Sequence, residues 1–195
     1  MGRIVVAALG DSITAGSPLW DPDPAVRARI ARPDERSQWH WWAARADPRL
    51  TFSNHGVYGE RTDEIAARLD GAVAGCAVLV LQGGINDVAQ RRPAAEAARN
   101  LAATVERALA LGLRVAVADV LPWNGGDERT AAEIVRLNAL IRELAAAAAV
   151  PLLPFHDTLA DPAAPTRMRD GLCDDGDHPN VEGHRLLGER AWRLP

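Results

Sequence analysis

The chain has 195 residues, 48% of them hydrophobic and 25% charged, which is enough for one domain with a substantial buried core. A net charge of -4 and the complete absence of lysine leave no basic block, which argues against nucleic acid as the main partner. Cys76 and Cys173 are too few and too far apart for a disulfide framework and read as free thiols in a reducing cytoplasm, Cys173 as a packing thiol.

The first apolar run, Arg3 to Leu9, is far shorter than the roughly 20 residues of a membrane span and too short for a secretory core, so a protein without a membrane span is expected. It lacks strict alternation, as does a strand buried on both faces. Gly10-Asp11-Ser12 follows directly and places a hydroxyl where the strand would end and a helix would begin. A strand-end serine also suits a simple helix cap. As a nucleophile, Ser12 would require a base, an orienting carboxylate and oxyanion donors from elsewhere in the chain.

The polar stretch Ser17 to Arg36, with Asp21-Pro22-Asp23-Pro24, is too long for an ordinary connection and is expected either to cover the site or to lie in solvent. Trp20 within it is a candidate wall for a substrate pocket, whereas Trp39, Trp41 and Trp42 read as packing on a helix. Leu50 to Ser53 forms the second strand. The loop Asn54 to Thr62 follows, in which Gly59 offers an unobstructed backbone N–H. A short helix from Thr62 to Asp70 is expected to stop at Gly71.

Ala77 to Leu81 forms the third strand, and the loop Gly83-Gly84-Ile85-Asn86-Asp87 behind it offers the Asn86 side-chain amide as a donor. A helix opens near Pro93, repeats Leu101, Val105, Ala108 and Leu109 on one face and ends at Gly112. Leu113 to Val120 is the fourth strand, and Trp123 at its end is a second candidate for the pocket wall. The next helix carries Ile134, Leu137, Ile141, Leu144 and Ala148 as its apolar stripe, with Thr130 and Glu133 spaced as a capping box. Val150 to Phe155 is the fifth strand, and His156-Asp157 follows it as a rival base.

The last block, Asp174-Asp175-Gly176-Asp177-His178-Pro179-Asn180, holds His178 in a loop, because Pro179 biases the residue before it away from helix while Asn180 caps the helix behind. Asp175 can fold back to accept from His178 Nδ1 and leave Nε2 free to take a proton from Ser12. The same acidic turn could be read as a metal cluster of Asp174, Asp175, Asp177 and His178. No second histidine lies at ligand spacing, so no metal is expected. His184, within the final helix, reads as packing or surface. The Ser12 N–H, Gly59 and Asn86 complete the set of oxyanion donors.

Strands alternating with helices predict an α/β fold with a parallel sheet. The ordered blocks Gly10-Asp11-Ser12-Ile13-Thr14-Ala15-Gly16, Asn54 to Thr62, Gly84-Ile85-Asn86-Asp87 and Asp175 to Asn180 with Gly183 resemble the SGNH hydrolases, the GDSL-type esterases and lipases. The resemblance implies a flavodoxin-like three-layer α/β/α sandwich with a five-stranded parallel sheet and one domain over residues 1–195. It also implies a cofactor-free hydrolase of carboxylic esters or thioesters: Ser12 nucleophile, His178 base, Asp175 orienting acid, and Ser12, Gly59 and Asn86 as oxyanion hole. Glu60-Arg61 beside the donor glycine would add charge near the site. The expected partner is a small-molecule ester with a short acyl group. Lysophospholipase, thioesterase and acyltransferase activity on the same triad are the alternatives. A flavodoxin-like binding module would need a glycine-rich phosphate loop that Gly10 to Gly16 does not supply.

Overall fold

The computed structural model describes residues 2–195. Strand β1 (Ile4–Gly10) leads into α1 (Ser12–Ala15), α2 (Pro24–Arg27), a 3-10 turn over Glu35–Ser37, and α3 (Trp39–Ala46). Then come β2 (Leu50–Gly56), α4 (Thr62–Ala67), α5 (Leu69–Ala72), β3 (Val78–Leu81), α6 (Ile85–Ala89) and α7 (Ala94–Ala110). The chain continues through β4 (Arg114–Ala118), α8 (Glu128–Ala147), β5 (Leu152–Leu153) and α9 (Phe155–Leu159). It closes with the hairpin β6 (Ala160–Asp161) and β7 (Ala164–Met168), then α10 (Val181–Leu186) and a π-helical turn over Leu187–Ala191.

Strands β1 to β5 form one parallel sheet in the order β2-β1-β3-β4-β5. Successive strand side chains point to opposite faces, so an unbroken apolar run feeds two cores at once. Ala7, Leu9, Leu79, Leu81, Val115 and Val117 pack on one face with Leu101 and Val105 of α7 and Leu137 and Ile141 of α8. Val6, Ala8, Val78, Val80, Ala116 and Ala118 fill the other face with Trp39, Phe155, Leu159, Leu187 and Trp192. The result is the three-layer α/β/α arrangement. Trp39 touches His40, Phe52, Phe155 and Trp192 edge-on or tilted, with ring centroids 5.3–5.8 Å apart.

β1 lies between β2 and β3, so the chain leaves the centre of the sheet toward β2 first and toward β3 next. Crossovers on either side of such a switch point leave a crevice at the carboxyl ends of the strands. The end of β2 closes tightly on that crevice: a Cβ at Gly56 would collide with the backbone of Thr14 and Ala15 in α1, so only glycine lets the two segments meet.

Several boundaries differ from expectation, for local reasons. β5 covers only Leu152–Leu153, because Pro151 and Pro154 flank it and cannot donate to the ladder. Gly71 does not stop a helix but lies inside α5, the break having fallen one turn earlier at Arg68. Thr130 is not the cap of α8. Asp127 is, accepting from the Thr130 N–H at 2.8 Å, while Glu133 reaches across to the Ala94 N–H at the start of α7. The β6–β7 hairpin had no signal in the sequence that was read as strand. Asn180 caps α10 as expected, accepting from the N–H groups of Glu182 and Gly183. Among the described residues no helix is long and apolar enough to cross a membrane.

The exit from β4 is held by a buried amide. Asn138 of α8 accepts from the Val120 N–H at 2.8 Å and donates to the Val120 carbonyl at 2.9 Å. Each bond left unmade in the interior costs about 1–3 kcal/mol. Asn138→Ala is therefore expected to lose about 2–4 kcal/mol of stability in urea unfolding.

Candidate active site

Asp11 caps α1 and is completely buried. Its Oδ1 accepts from the Ile13 N–H and its Oδ2 from Gln82 Nε2, each at 2.9 Å, while Gln82 Oε1 accepts from Thr14 Oγ1 at 2.8 Å. Burial pushes the Asp11 carboxyl up to about 6, against the hydrogen bonds from Ile13 and Gln82 and the nearby His178. This network fixes the first turn of α1, and with it the Ser12 backbone and Oγ. The Ser12 N–H lies in the first helical turn, where no carbonyl of the same helix reaches it.

His178 Nε2 is 3.1 Å from Ser12 Oγ, and His178 Nδ1 is 2.8 Å from Asp175 Oδ2. Asp175 Oδ1 accepts two further bonds, from the N–H groups of Asp177 (2.8 Å) and His178 (2.7 Å). Partial burial disfavours the Asp175 charge, but these bonds outweigh it and hold the carboxyl below the usual range. A carboxylate at Nδ1 places the ring proton there and leaves Nε2 as acceptor toward Ser12. The arrangement can take a proton from a serine hydroxyl. Asp175 and His178 thus bond to each other, and among the described residues no group of three or more His, Cys, Asp or Glu could hold a metal ion.

The other two candidate donors sit on the turn behind β2 and on α6, which are bonded to one another. Gly59 adopts the left-handed conformation (φ +80°), which a residue with a side chain would resist, on the turn behind β2. Asn86 lies in α6, not in a loop, and its Nδ2 donates to the Glu60 carbonyl at 2.9 Å. Asp87 accepts from both the N–H and the Oγ1 of Thr62, each at 2.9 Å. One of the two Asn86 amide hydrogens therefore ties α6 to the Gly59–Glu60 turn.

Ser12, His178, Asn86, Tyr58, Ile85 and Trp123 border a cavity of about 200 Å³. Trp123 is there as expected, its Nε1 donating to Asp177 Oδ1 at 2.6 Å. Trp20 is not. It lies with the Arg27 guanidinium 4.6 Å from its ring centroid, because the Ser17 to Arg36 stretch folds back behind α1, where Ser37 Oγ donates to the Gly16 carbonyl. That stretch contributes no wall to the cavity. His156 is also elsewhere: it follows β5, three strand positions from β1 and so roughly 14 Å away at about 4.8 Å per strand, with its N–H on Asp119 and its ring on Asp157.

The charge expected from Glu60-Arg61, and that of the nearby Arg91 and Arg92, is paired within the protein. Glu60 pairs with Arg68, Arg61 with Asp63 and Glu64, Arg91 with Asp127, and Arg92 with Asp63 and Glu96. His184 is fully buried with no hydrogen-bond partner among the described residues, and burial pushes its imidazole down to about 3, so it packs as a neutral ring. Cys173 is half-buried and its thiol is pushed up, first by burial, which makes it a packing group.

Three residues had no sequence signal for their roles. Gln82 directly after β3 bridges Asp11 and Thr14. Arg68 donates to the carbonyls of His55 (2.9 Å) and Gly10 (3.2 Å), clamping the ends of β2 and β1. Tyr58, 67% exposed, stands over the cavity with its ring centroid 6.0 Å from that of His178.

The family model for GDSL-like lipases and acylhydrolases matches residues 8–186. No curated protein sequence matches the chain significantly. Among solved structures, a G-D-S-L family protein from Desulfitobacterium hafniense superposes with a TM-score of 0.79 at 21% identity, covering 96% of this chain and 97% of that one. A member of the lipolytic G-D-S-L family from Veillonella parvula gives 0.76 at 19%, covering 95% and 94%. An acetylxylan esterase from Geobacillus stearothermophilus gives 0.75 at 16%, covering 96% and 92%. At these identities the likeness is one of fold.

A carboxyl whose folded pKa lies above its unfolded one favours the fold while protonated. For Asp11 that contribution is complete below about 3.8 and is lost as pH rises through about 6. Asp11→Asn removes the titration, so its stability relative to the wild type should be higher at pH 8 than at pH 4. Thermal unfolding across that range reads the difference, and a relative stability of the variant that rises toward acid would contradict it.

Proposed function

The chain belongs to the GDSL-like lipase/acylhydrolase family, and from that premise we propose that it is a serine esterase hydrolysing short-acyl carboxylic esters, with Ser12 as nucleophile, His178 as general base and Asp175 as the carboxylate that orients it. The observation that carries this reading is the continuous hydrogen-bonded line from Ser12 Oγ through both ring nitrogens of His178 to Asp175.

In the proposed reaction His178 Nε2 removes the Ser12 proton as Oγ attacks the ester carbonyl. Negative charge gathers on the carbonyl oxygen, facing the N–H groups of Ser12 and Gly59 and the Asn86 amide. His178 then gives its proton to the departing alcohol, and an acyl group remains on Ser12. Water, deprotonated by His178, attacks that acyl group; the bond to Ser12 Oγ breaks, His178 returns the proton to Oγ, and the acid leaves. Asp175 stays ionised throughout and holds the imidazolium. No step calls for a cofactor. A cavity of about 200 Å³ at Ser12 favours a short acyl group.

Ser12→Ala is expected to abolish hydrolysis of p-nitrophenyl acetate while leaving the unfolding transition near that of the wild type, and His178→Ala should do the same. Loss of activity in His156→Ala with retention in His178→Ala would reassign the base. Asn86→Ala is expected to lower kcat about 10²–10³-fold with a smaller change in KM, as for removal of one oxyanion donor.

A further inference from the structure

A second cavity, of about 530 Å³, adjoins the first and shares Trp123 with it. It lies between the start of α8 and β7. Its floor is apolar: Ala131, Ala132 and Val135 stand on one helix face beside the indole of Trp123. Val135 is 55% exposed, one of few large hydrophobic side chains so open to solvent, and Tyr58 over the neighbouring cavity is another. Its rim carries charges of both signs, Asp127, Glu128 and Arg167, of which Asp127 is paired with Arg91. Its volume falls in the range of small-molecule sites, about 300–1,000 Å³.

Trp123, on the border that the two cavities share, is held in place. Trp123 Nε1 donates to Asp177 Oδ1, the Gly125 N–H to the Gly176 carbonyl at 2.9 Å, and Asn124 Oδ1 accepts from the Met168 N–H at 2.7 Å. These bonds tie the loop behind β4 to the His178 loop on one side and to β7 on the other. Trp123 is thereby fixed beside the residue preceding His178. In the reaction proposed above, His178 must return its proton to the alcohol oxygen as the acyl–oxygen bond breaks, so the alcohol extends past His178 and not toward the oxyanion donors.

We infer that the cavity beyond Trp123 receives the alcohol portion of the ester, and that it selects alcohols bearing an apolar or aromatic ring. This assignment rests on the esterase reading for the direction of the alcohol, and the volumes supply the complementary reason: the cavity at Ser12 is the smaller of the two, and the larger one lies across the Trp123 they share.

The test uses 2-naphthyl acetate against ethyl acetate, with Val135→Arg to fill the cavity with charge and Val135→Ala to trim its floor. The ratio of kcat/KM for naphthyl over ethyl acetate is expected to fall about tenfold in Val135→Arg and about threefold in Val135→Ala. An unchanged ratio in both variants, or a Val135 effect that instead follows acyl length across a series of ethyl esters, overturns the assignment. Calorimetric titration of 2-naphthol into Ser12→Ala protein, with and without Val135→Arg, separates the two readings, because binding needs no turnover. About tenfold weaker binding in the double variant supports the cavity even if no ester is hydrolysed by the wild type. Equal binding in both removes it whatever the activity.

Discussion

Parallel pairing of β1 between β2 and β3 is the constraint from which the rest of the structure follows. Gly10 lies opposite Gly56 in one ladder and Leu9 opposite Leu81 in the other, so the carboxyl ends of three strands come out side by side. Parallel strands must be joined by crossovers, and the helices of those crossovers cover both faces of the sheet. That leaves the strand ends as the open edge, with helix starts pointing at it. Ser12, Gly59 and Asn86 are far apart in sequence and are brought to the same edge because they follow β1, β2 and β3, three strands that lie side by side. The fourth contribution, the Asp175 to His178 turn, arrives from the C-terminal segment, anchored by Asn180 at the start of α10.

Bringing loops to one edge does not by itself give a geometry. The edge is stiffened by polar contacts that join one loop to the next: Asp11 to Gln82, Asp87 to Thr62, Asn86 to Glu60, and Arg68 to Gly10 and His55. Several of these are buried, where an unmade bond is costly and a made one holds its partners in a single arrangement. Asp11 shows the balance most clearly. Its burial is unfavourable enough to lift its carboxyl to about 6, yet that burial places two acceptors under the first turn of α1. Preorganised donors and a preset hydroxyl are what acyl transfer asks of a protein, because nothing then has to reorganise as charge develops.

Much of the fold was legible in the chain, and the exceptions share a cause. The long helix over Ala94–Ala110 and the strand Val78–Leu81 could be read because their apolar periodicity is local and strong. Gly71, Thr130 and the fifth strand were misjudged because their outcome depended on neighbours: Asp127 outcompeted Thr130 as the cap, and two prolines shortened β5. Of the residues singled out by motif spacing for the proposed site, Ser12, His178 and Asp175 lie in one hydrogen-bonded line and Asn86 borders the same cavity. Trp20 and Trp123 looked equivalent, each an indole in a loop near a strand end. Only the path of the chain separates them, since the Ser17 to Arg36 stretch turns behind α1 while the loop after β4 turns toward His178.

The sequence by itself determined the central strands and long helices, their alternation, the two-sided burial of the strands and the set of candidate site residues, since all of these depend on residue type and short-range spacing. The tertiary structure alone decided which side chains meet. His178 and not His156 lies beside Ser12 because β5 is at the far edge of the sheet. Arg91 meets Asp127 and Arg92 meets Asp63 because α8 and α4 lie beside the end of α6, whereas the pairs of Arg61 with Asp63 and Glu64 are local. Gln82 and Arg68 became parts of the site only once β1, β2 and β3 were side by side. Contacts between residues tens of positions apart follow from strand order and crossover path, and no local pattern encodes the distance between two loops.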